Sequence, residues 1–449
     1  MIYNFIPDKV TRKPIYIQLY EHIRDEIESQ NIKNGDKLPS IRETSSSLKL
    51  SKTTVENSYF QLLTEGYLES IPKKGYFVTD LKDYFLRNVD QKKMQPLDSV
   101  QIQSFEEINY VNDNVHTGSI DLKIWKKLYN NILSYSTDEV YSSGTHQGEY
   151  KLRYEVSRFV NSTRGAHTHP DQIVVGAGIQ YLLGILAGVL KPSISTAAIE
   201  YPGYVKAKYI FDDYGFKTID IPLSDNGLNI LALEQSSADI VYVSPSHQYP
   251  TGSLMPIQKR LQLLSWAENR KGYIVEDDYD SLIRFESRPV PCLQGLDKND
   301  SVIYLGSFSK ILTPALRISY MILPLRLLED YFKISTRYTQ SSSKLEQLTL
   351  AQFIGEGHID KHLRKIKRIY SKKRDLLKNY LESVWGDDIE LISADSGLHT
   401  VISLTSHCDA QEIVDFFNSK GLHISVINNH NQRFEISLSY SGIPFDTLI

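Results

Sequence analysis

Ser301-Val302-Ile303-Tyr304-Leu305-Gly306-Ser307-Phe308-Ser309-Lys310 decides how the larger part of this 449-residue chain is read. Val302 to Leu305 is a short apolar run. It ends in a turn of small and hydroxyl-bearing residues that presents a lysine, and Thr313-Pro314-Ala315-Leu316-Arg317 follows. The apolar run reads as a buried strand and the polar residues as the turn at its carboxyl end.

The same pattern recurs upstream. Gln172-Ile173-Val174-Val175 runs into Gly176-Ala177-Gly178 and a helix through Leu190. Thr196-Ala197-Ala198-Ile199 runs into Glu200-Tyr201-Pro202-Gly203-Tyr204. Asp239-Ile240-Val241-Tyr242-Val243 runs into Pro245-Ser246-His247-Gln248-Tyr249-Pro250-Thr251-Gly252. Tyr273-Ile274-Val275 runs into Glu276-Asp277-Asp278-Tyr279-Asp280. Short apolar strands alternating with helices predict a mostly parallel sheet from about residue 105 onward. Ligands in such sheets collect at the carboxyl ends of the strands, and each polar motif follows a strand.

The first 80 residues follow a different pattern. Ile15, Leu19, Ile23 and Ile27 fall on one face of a helix over 15–28. Asn34-Gly35-Asp36 is a turn. Ser40 is a predicted cap of the next helix, with Glu43 completing a capping box. Leu48-Lys49-Leu50 ends that helix. Ser51 caps a third, Lys52 to Glu65, with Val55, Tyr59 and Leu62 inward and Gly66 as its stop. Tyr67–Ser70 and Tyr76–Val78 read as two short strands. Three helices and a hairpin, in that order, predict a winged helix. Residues 81–104 are polar and mixed, and read as a linker that is helical in part, around Tyr84-Phe85-Leu86.

Composition narrows the function classes. The chain is 41% hydrophobic and 23% charged, as a globular protein is, and too long for one ordinary core. No apolar run approaches the length of a membrane span. The N-terminus shows no secretory pattern, so cytoplasmic residence is the expectation. Cys292 and Cys408 lie far apart without CxxC spacing. They predict buried thiols, with no disulfide framework and no metal site. Net charge is −4, and residues 1–80 carry eleven Lys+Arg against eleven Asp+Glu. Contact with nucleic acid therefore needs a local patch. Residues 37–76 hold six basic against four acidic residues. Ser40, Arg42, Lys52, Thr53, Thr54, Lys73, Lys74 and Gly75 fall at helix starts and the hairpin tip, where phosphate is best met.

The strand-end residues suit pyridoxal 5′-phosphate (PLP). That group needs an amine for its aldehyde, an acid for its pyridine nitrogen, donors for its phosphate and a cover for its ring. Lys310 is the amine candidate, able to form a Schiff base. Asp277 is the acid candidate. Gly176, Ala177, Gly178 and Ile179 can offer backbone N–H groups at a helix start. Ser307, Ser309 and Arg317 can complete the phosphate cup. Tyr279 is placed to donate to the phenolic oxygen. Tyr204 lies either against the ring or beside an effector.

Residues 12–79 resemble the GntR-type winged helix-turn-helix, on Gly35–Glu43, Ser51–Val55, Leu63–Leu68 and Lys74–Val78. Thr44-Ser45-Ser46-Ser47 departs from the Leu and Ala usual there. Residues 105–449 resemble fold-type I aminotransferases. The marks are Ser246–Gly252, which includes His247, then Glu276–Asp280 and Ser307–Lys310. The whole chain resembles the MocR/GabR subfamily of GntR-type regulators. This implies a multidomain chain: a winged helix-turn-helix, mostly α with a small β-wing, over 1–80; a linker over 81–104; and an α/β fold-type I aminotransferase-like domain with large and small subdomains over 105–449. It also implies a homodimer, a double-stranded DNA operator as partner, and PLP-based sensing of PLP itself or of a small amine or amino acid. His247 joins the cofactor-binding set by this resemblance. The carboxylate-binding arginine of aminotransferase relatives aligns with Glu435, and Arg433 lies two residues earlier. Arg433, Tyr204 and Lys206 are thus the expected effector residues, Lys206 standing where some relatives carry Arg. Ser143, near Tyr141, stands where relatives supply a tyrosine to the partner's phosphate. Sustained transamination, with Lys310 as the proton shuttle, is the alternative reading.

Overall fold

The computed structural model describes residues 4–8, 11, 13–80, 114–224, 227–285, 290–393, 397–430 and 432–445. The chain divides into two compact units, residues 1–105 and 106–449. The expected linker over 81–104 lies outside the described residues.

In the first unit three helices, α1 (Ile15–Glu28), α2 (Ile41–Leu48) and α3 (Lys52–Thr64), precede a hairpin of β1 (Leu68–Ile71) and β2 (Gly75–Val78). Leu19, Ile23 and Ile27 of α1 pack with Val55, Tyr59 and Leu62 of α3, all at 2% exposure or less. Burying such side chains is worth roughly 1.5–3 kcal/mol each. Ser51 caps α3, its hydroxyl accepting from the Thr54 amide at 3.1 Å. Ser40 caps α2 by accepting from the Glu43 amide at 3.3 Å. The expected capping box forms only in this forward half. Thr44, which departs from the usual apolar residue, is fully buried and bonds the Tyr59 hydroxyl at 3.0 Å. That bond satisfies a polar atom which burial would otherwise penalise.

The second unit holds a seven-stranded sheet. Its strands are β3 (Ile173–Gly176), β4 (Thr196–Tyr201), β5 (Lys217–Pro222), β6 (Ile240–Val243), β7 (Tyr273–Asp278), β8 (Val302–Ser307) and β9 (Ser319–Ile322), in the order β3-β9-β8-β7-β6-β4-β5. The pairs from β8 through β5 are parallel, and β9 runs antiparallel to both its neighbours. Helices cover both faces. Along β8, Ile303 and Leu305 join Leu183 and Leu186 of the helix Ile179–Leu190, while Tyr304 joins Phe308 and Phe159 on the other side. Burial on both faces is why these strands read as unbroken apolar runs.

A smaller antiparallel sheet follows: β10 (Ile389–Ser393), β11 (His399–Thr405), β12 (Ile424–His430) and β13 (Arg433–Ser439), in the order β10-β11-β13-β12. Phe434, Ile436 and Leu438 of β13 turn into the core. The alternate residues face the other way. Cys292 is buried as expected, but Cys408 is exposed, because it sits in the turn after β11.

Candidate functional site

A cavity of about 480 Å³ opens at the carboxyl edge of the large sheet. β7 and its following loop bring Asp277, Tyr279 and Asp280. β8 and the turn after it bring Ser307, Ser309, Lys310 and Arg317. The start of the helix Ile179–Leu190 brings Gly178, Ile179 and Gln180. Tyr204, Lys206 and Tyr209 come from the loop and helix after β4, and Tyr249 from the loop after β6. Leu398, His399, Ser425 and Ser439 close it from the small sheet.

Asp277 is buried at the end of β7. The Tyr242 hydroxyl of neighbouring β6 donates to its Oδ2. Its other oxygen, Oδ1, is buried without a partner among the described residues. Burial lifts this carboxyl to about 7, against the Tyr242 bond, with Asp278 and Asp280 adding to the rise. A buried acceptor of this kind is costly until a donor meets it. Asp278 points to the other side of the strand, as alternation requires. The Arg164 Nε donates to it at 2.6 Å and Tyr304 donates as well. The two adjacent aspartates therefore have separate work.

Arg317 sits at φ +50° after Pro314-Ala315-Leu316 and donates to the Ala177 carbonyl at 2.9 Å. Ser319 donates to Ser307 Oγ at 3.0 Å, which in turn accepts from the Ser309 amide at 3.2 Å. The Ser309 hydroxyl is buried without a partner among the described residues. A helix start, a guanidinium and these hydroxyls form an anion cradle. An unsatisfied acid, a lysine and an anion cradle in one cavity fit PLP.

Tyr279 Oη lies 3.1 Å from His247 Nδ1, and the same nitrogen lies 2.8 Å from Asp280 Oδ1. His247 is buried behind Tyr279 and does not line the cavity. Burial pushes His399, beside it at 4.6 Å between ring centroids, down to about 3, with neighbouring His247 adding to the effect. His399 is therefore neutral.

Three further expected residues lie elsewhere. Gly176 is the last residue of β3, and Ala177 spends its amide on Ser341 Oγ at 3.0 Å. Neither lines the cavity. Arg433 opens β13, six residues before Ser439, so the two lie roughly 20 Å apart along the strand. Its Nε donates to Ser403 Oγ at 2.6 Å and its guanidinium pairs with Glu390 at 3.4 Å. The structure does not bring it to the cavity. Conversely, Tyr242 and Ser319 carried no distinguishing signal within their strands, and Asp280 lay in a quoted motif without a role of its own. His399, Ser425 and Ser439 lie far along the chain from the motifs they face, His399 being 89 residues beyond Lys310.

In the N-terminal unit Ser40, Arg42, Lys52, Thr53, Lys73 and Lys74 are exposed at the starts of α2 and α3 and at the hairpin tip. Thr54 is half-buried and bonds Ser51. Gly75 begins β2 at φ +110°, with Lys37 packed close against it.

The chain matches two family descriptions: bacterial regulatory proteins of the gntR family over residues 15–78, and aminotransferase class I and II over residues 111–431. It is 35% identical to YdeL of Bacillus subtilis, an uncharacterized HTH-type transcriptional regulator, over 96% of this chain and 93% of that one. It is 30% identical to the probable rhizopine catabolism regulatory protein MocR of Rhizobium meliloti, over 98% and 93%. Among solved structures it superposes on an archaeal alanine:glyoxylate aminotransferase with a TM-score of 0.67 at 21% identity, over 75% of this chain and 87% of that one. This last likeness shows the fold of the second unit. The chain belongs to the MocR/GabR subfamily of GntR-type transcriptional regulators, a winged helix-turn-helix joined to a fold-type I aminotransferase domain.

Proposed function

We propose that this protein is a DNA-binding regulator whose aminotransferase-like unit holds PLP and senses PLP itself or an amine captured on it. The observation that carries the reading is Asp277 Oδ1, buried without a partner among the described residues in the same cavity as Lys310 and Arg317. Lys310 attaches the cofactor as a Schiff base. Asp277 keeps the pyridine nitrogen protonated. Gly178, Ile179, Ser307, Ser309 and Arg317 hold the phosphate, and Tyr279 meets the phenolic oxygen. When bound, PLP supplies an electrophilic carbon that captures amines. Tyr204 and Lys206 face the part of the cavity where the captured amine extends.

The small-sheet wall favours sensing over turnover. It offers Ser425, Ser439, Leu398 and the neutral His399, and the cations lining the cavity are Lys206, Lys310 and Arg317. With Lys310 and Arg317 committed to the cofactor, no bidentate clamp is left among the described lining residues to hold a substrate carboxylate rigidly for repeated proton transfer. Residues 1–80 read an operator through the starts of α2 and α3 and the wing. Pairing of two copies would present two such units to two half-sites. Leu122, Leu133, Tyr135, Tyr150 and Tyr154 are exposed on the helices Leu122–Tyr135 and Tyr150–Arg164, a surface that suits a second copy.

The experiment is a paired titration of the full chain. PLP should produce a long-wavelength absorbance that borohydride fixes covalently. Operator DNA should change the PLP or amine affinity by the same factor that ligand changes DNA affinity. Ligand affinity indifferent to operator would remove the sensor reading. Sustained exchange of an amino donor with a keto acid would favour the enzyme instead.

A further inference from the structure

We propose that Asp280 and His247 are positioning residues for Tyr279: they keep a hydrogen on His247 Nδ1, and so turn the Tyr279 hydroxyl proton into the cavity, toward the phenolic oxygen of PLP. The inference rests on the cofactor reading above and adds a proton placement to it.

One ring nitrogen has two partners. Nδ1 of His247 is 2.8 Å from Asp280 Oδ1 and 3.1 Å from Tyr279 Oη. A carboxylate only accepts, so the hydrogen of the shorter contact belongs to Nδ1. A protonated Nδ1 has no lone pair for the Tyr279 hydroxyl. With that single hydrogen directed at Asp280, the Tyr279 hydroxyl finds no acceptor on this side, and its own proton goes to the side that faces the cavity. His247 Nε2 is buried without a partner among the described residues, so nothing there favours moving the hydrogen to it.

Asp280 is held as a carboxylate. It is 2% exposed, and its Oδ2 accepts the Leu398 amide at 3.2 Å. Burial pushes it upward, but His247 overrides this and keeps it below the usual aspartate range. The titratable groups facing the trio are Glu200 on β4, Asp277 on β7, Tyr249 after β6, Lys310 after β8, His399 on β11 and Tyr440 after β13. Gly397, at φ +86°, closes the pair off: a Cβ there would stand 2.1 Å from His247 Cε1 and 2.6 Å from Asp280 Oδ2. The ring and its carboxylate are thus clamped between the loop after β7 and the loop entering β11. The small subdomain supports the proton placement through Gly397 and Leu398.

The test uses the full chain loaded with PLP and follows its absorbance against pH. A proton aimed at the phenolic oxygen stabilises that oxygen as an anion and weakens its hold on the proton shared with the Lys310 nitrogen. Asp280→Asn can present an amide N–H to Nδ1, which reverses the ring hydrogen and draws the Tyr279 proton away. The absorbance midpoint should rise by roughly one pH unit, the size expected for losing a hydrogen bond to a charged group. Tyr279→Phe should raise it as much, and the combination no further. Adding His247→Leu to Asp280→Asn removes the competing nitrogen and should return the midpoint toward wild type. An Asp280→Asn protein that binds PLP with the wild-type midpoint overturns the proposal. So does a double variant that keeps the raised midpoint. If Asp280→Asn does not fold, ¹⁵N-histidine spectra of wild type decide: hydrogen on Nδ1 of His247 supports the proposal, hydrogen on Nε2 alone overturns it. A wild-type protein without a borohydride-reducible band fails the cofactor reading itself, which is distinct from a band whose midpoint does not move.

Discussion

The guanidinium of Arg317 occupies the space that any side chain on Gly178 would need: a Cβ there would stand 2.7 Å from Nη2. Gly178 also holds φ +105°, which non-glycine residues rarely adopt. The close approach joins the two halves of the anion cradle. Gly178→Ala should therefore displace Arg317, lowering PLP affinity at least about tenfold and apoprotein stability by roughly 1–3 kcal/mol. Equilibrium dialysis and thermal unfolding of the same samples measure both. A Gly178→Ala protein with wild-type PLP affinity would separate Arg317 from phosphate binding.

Lys310→Ala should abolish the borohydride-fixable adduct and the long-wavelength absorbance, while Asp277 and the phosphate cradle retain weaker, non-covalent binding. Mass spectrometry after reduction and an absorbance titration test it. A surviving adduct would place the reactive amine elsewhere.

Asp277 predicts a pH effect on the apoprotein. Its folded-state carboxyl is raised to about 7 by burial. A raised group contributes stability that is full below its unfolded value near 4 and is lost as pH climbs through 7. Glu200 and Glu276, both also lifted to about 7 by burial, act in the same direction. Apoprotein stability should fall between about pH 4 and 7. Asp277→Asn should remove part of that fall, on the order of a few kcal/mol at most. The same variant should lose most of the stabilisation that PLP gives wild type at the alkaline end of this range. Thermal unfolding with and without PLP across the range measures both effects, and a pH profile unchanged by the substitution would count against the buried, ionising carboxyl.

Arg42 is exposed in the first turn of α2. Arg42→Ala should weaken operator binding and reduce the slope of log affinity against log salt by about one. The PLP spectrum should stay as in wild type, since the units have separate cores. A salt series in a DNA-binding assay tests it. Unchanged affinity throughout would turn Arg42 away from DNA.

Much of the architecture is legible in the sequence. The five strands β3, β4, β6, β7 and β8 announced themselves because each is buried on both faces and ends in a polar turn. β5 and β9 did not. β9 is four residues long and runs antiparallel, so it delivers Ser319, its first residue, to the site, and no polar motif follows it. The helices of the N-terminal unit were legible from local chemistry: Ser51 caps, Gly66 stops, and Leu19, Ile23 and Ile27 keep helical spacing.

The sequence by itself determined the site's chemical inventory, because Lys310, Asp277, Tyr279 and Arg317 lie in short strand-end motifs whose local spacing sets their direction. Tertiary structure alone decided which groups complete it. Tyr242 reaches Asp277 only because β6 lies beside β7. His247 meets Asp280, and Asp280 meets the Leu398 amide, only where two loops and the small subdomain converge. Arg433 carried the right charge in the right region, yet strand register points it to Ser403 and Glu390. Charge and residue type are local properties, whereas partnership depends on sheet order and register, which contacts distant in sequence establish.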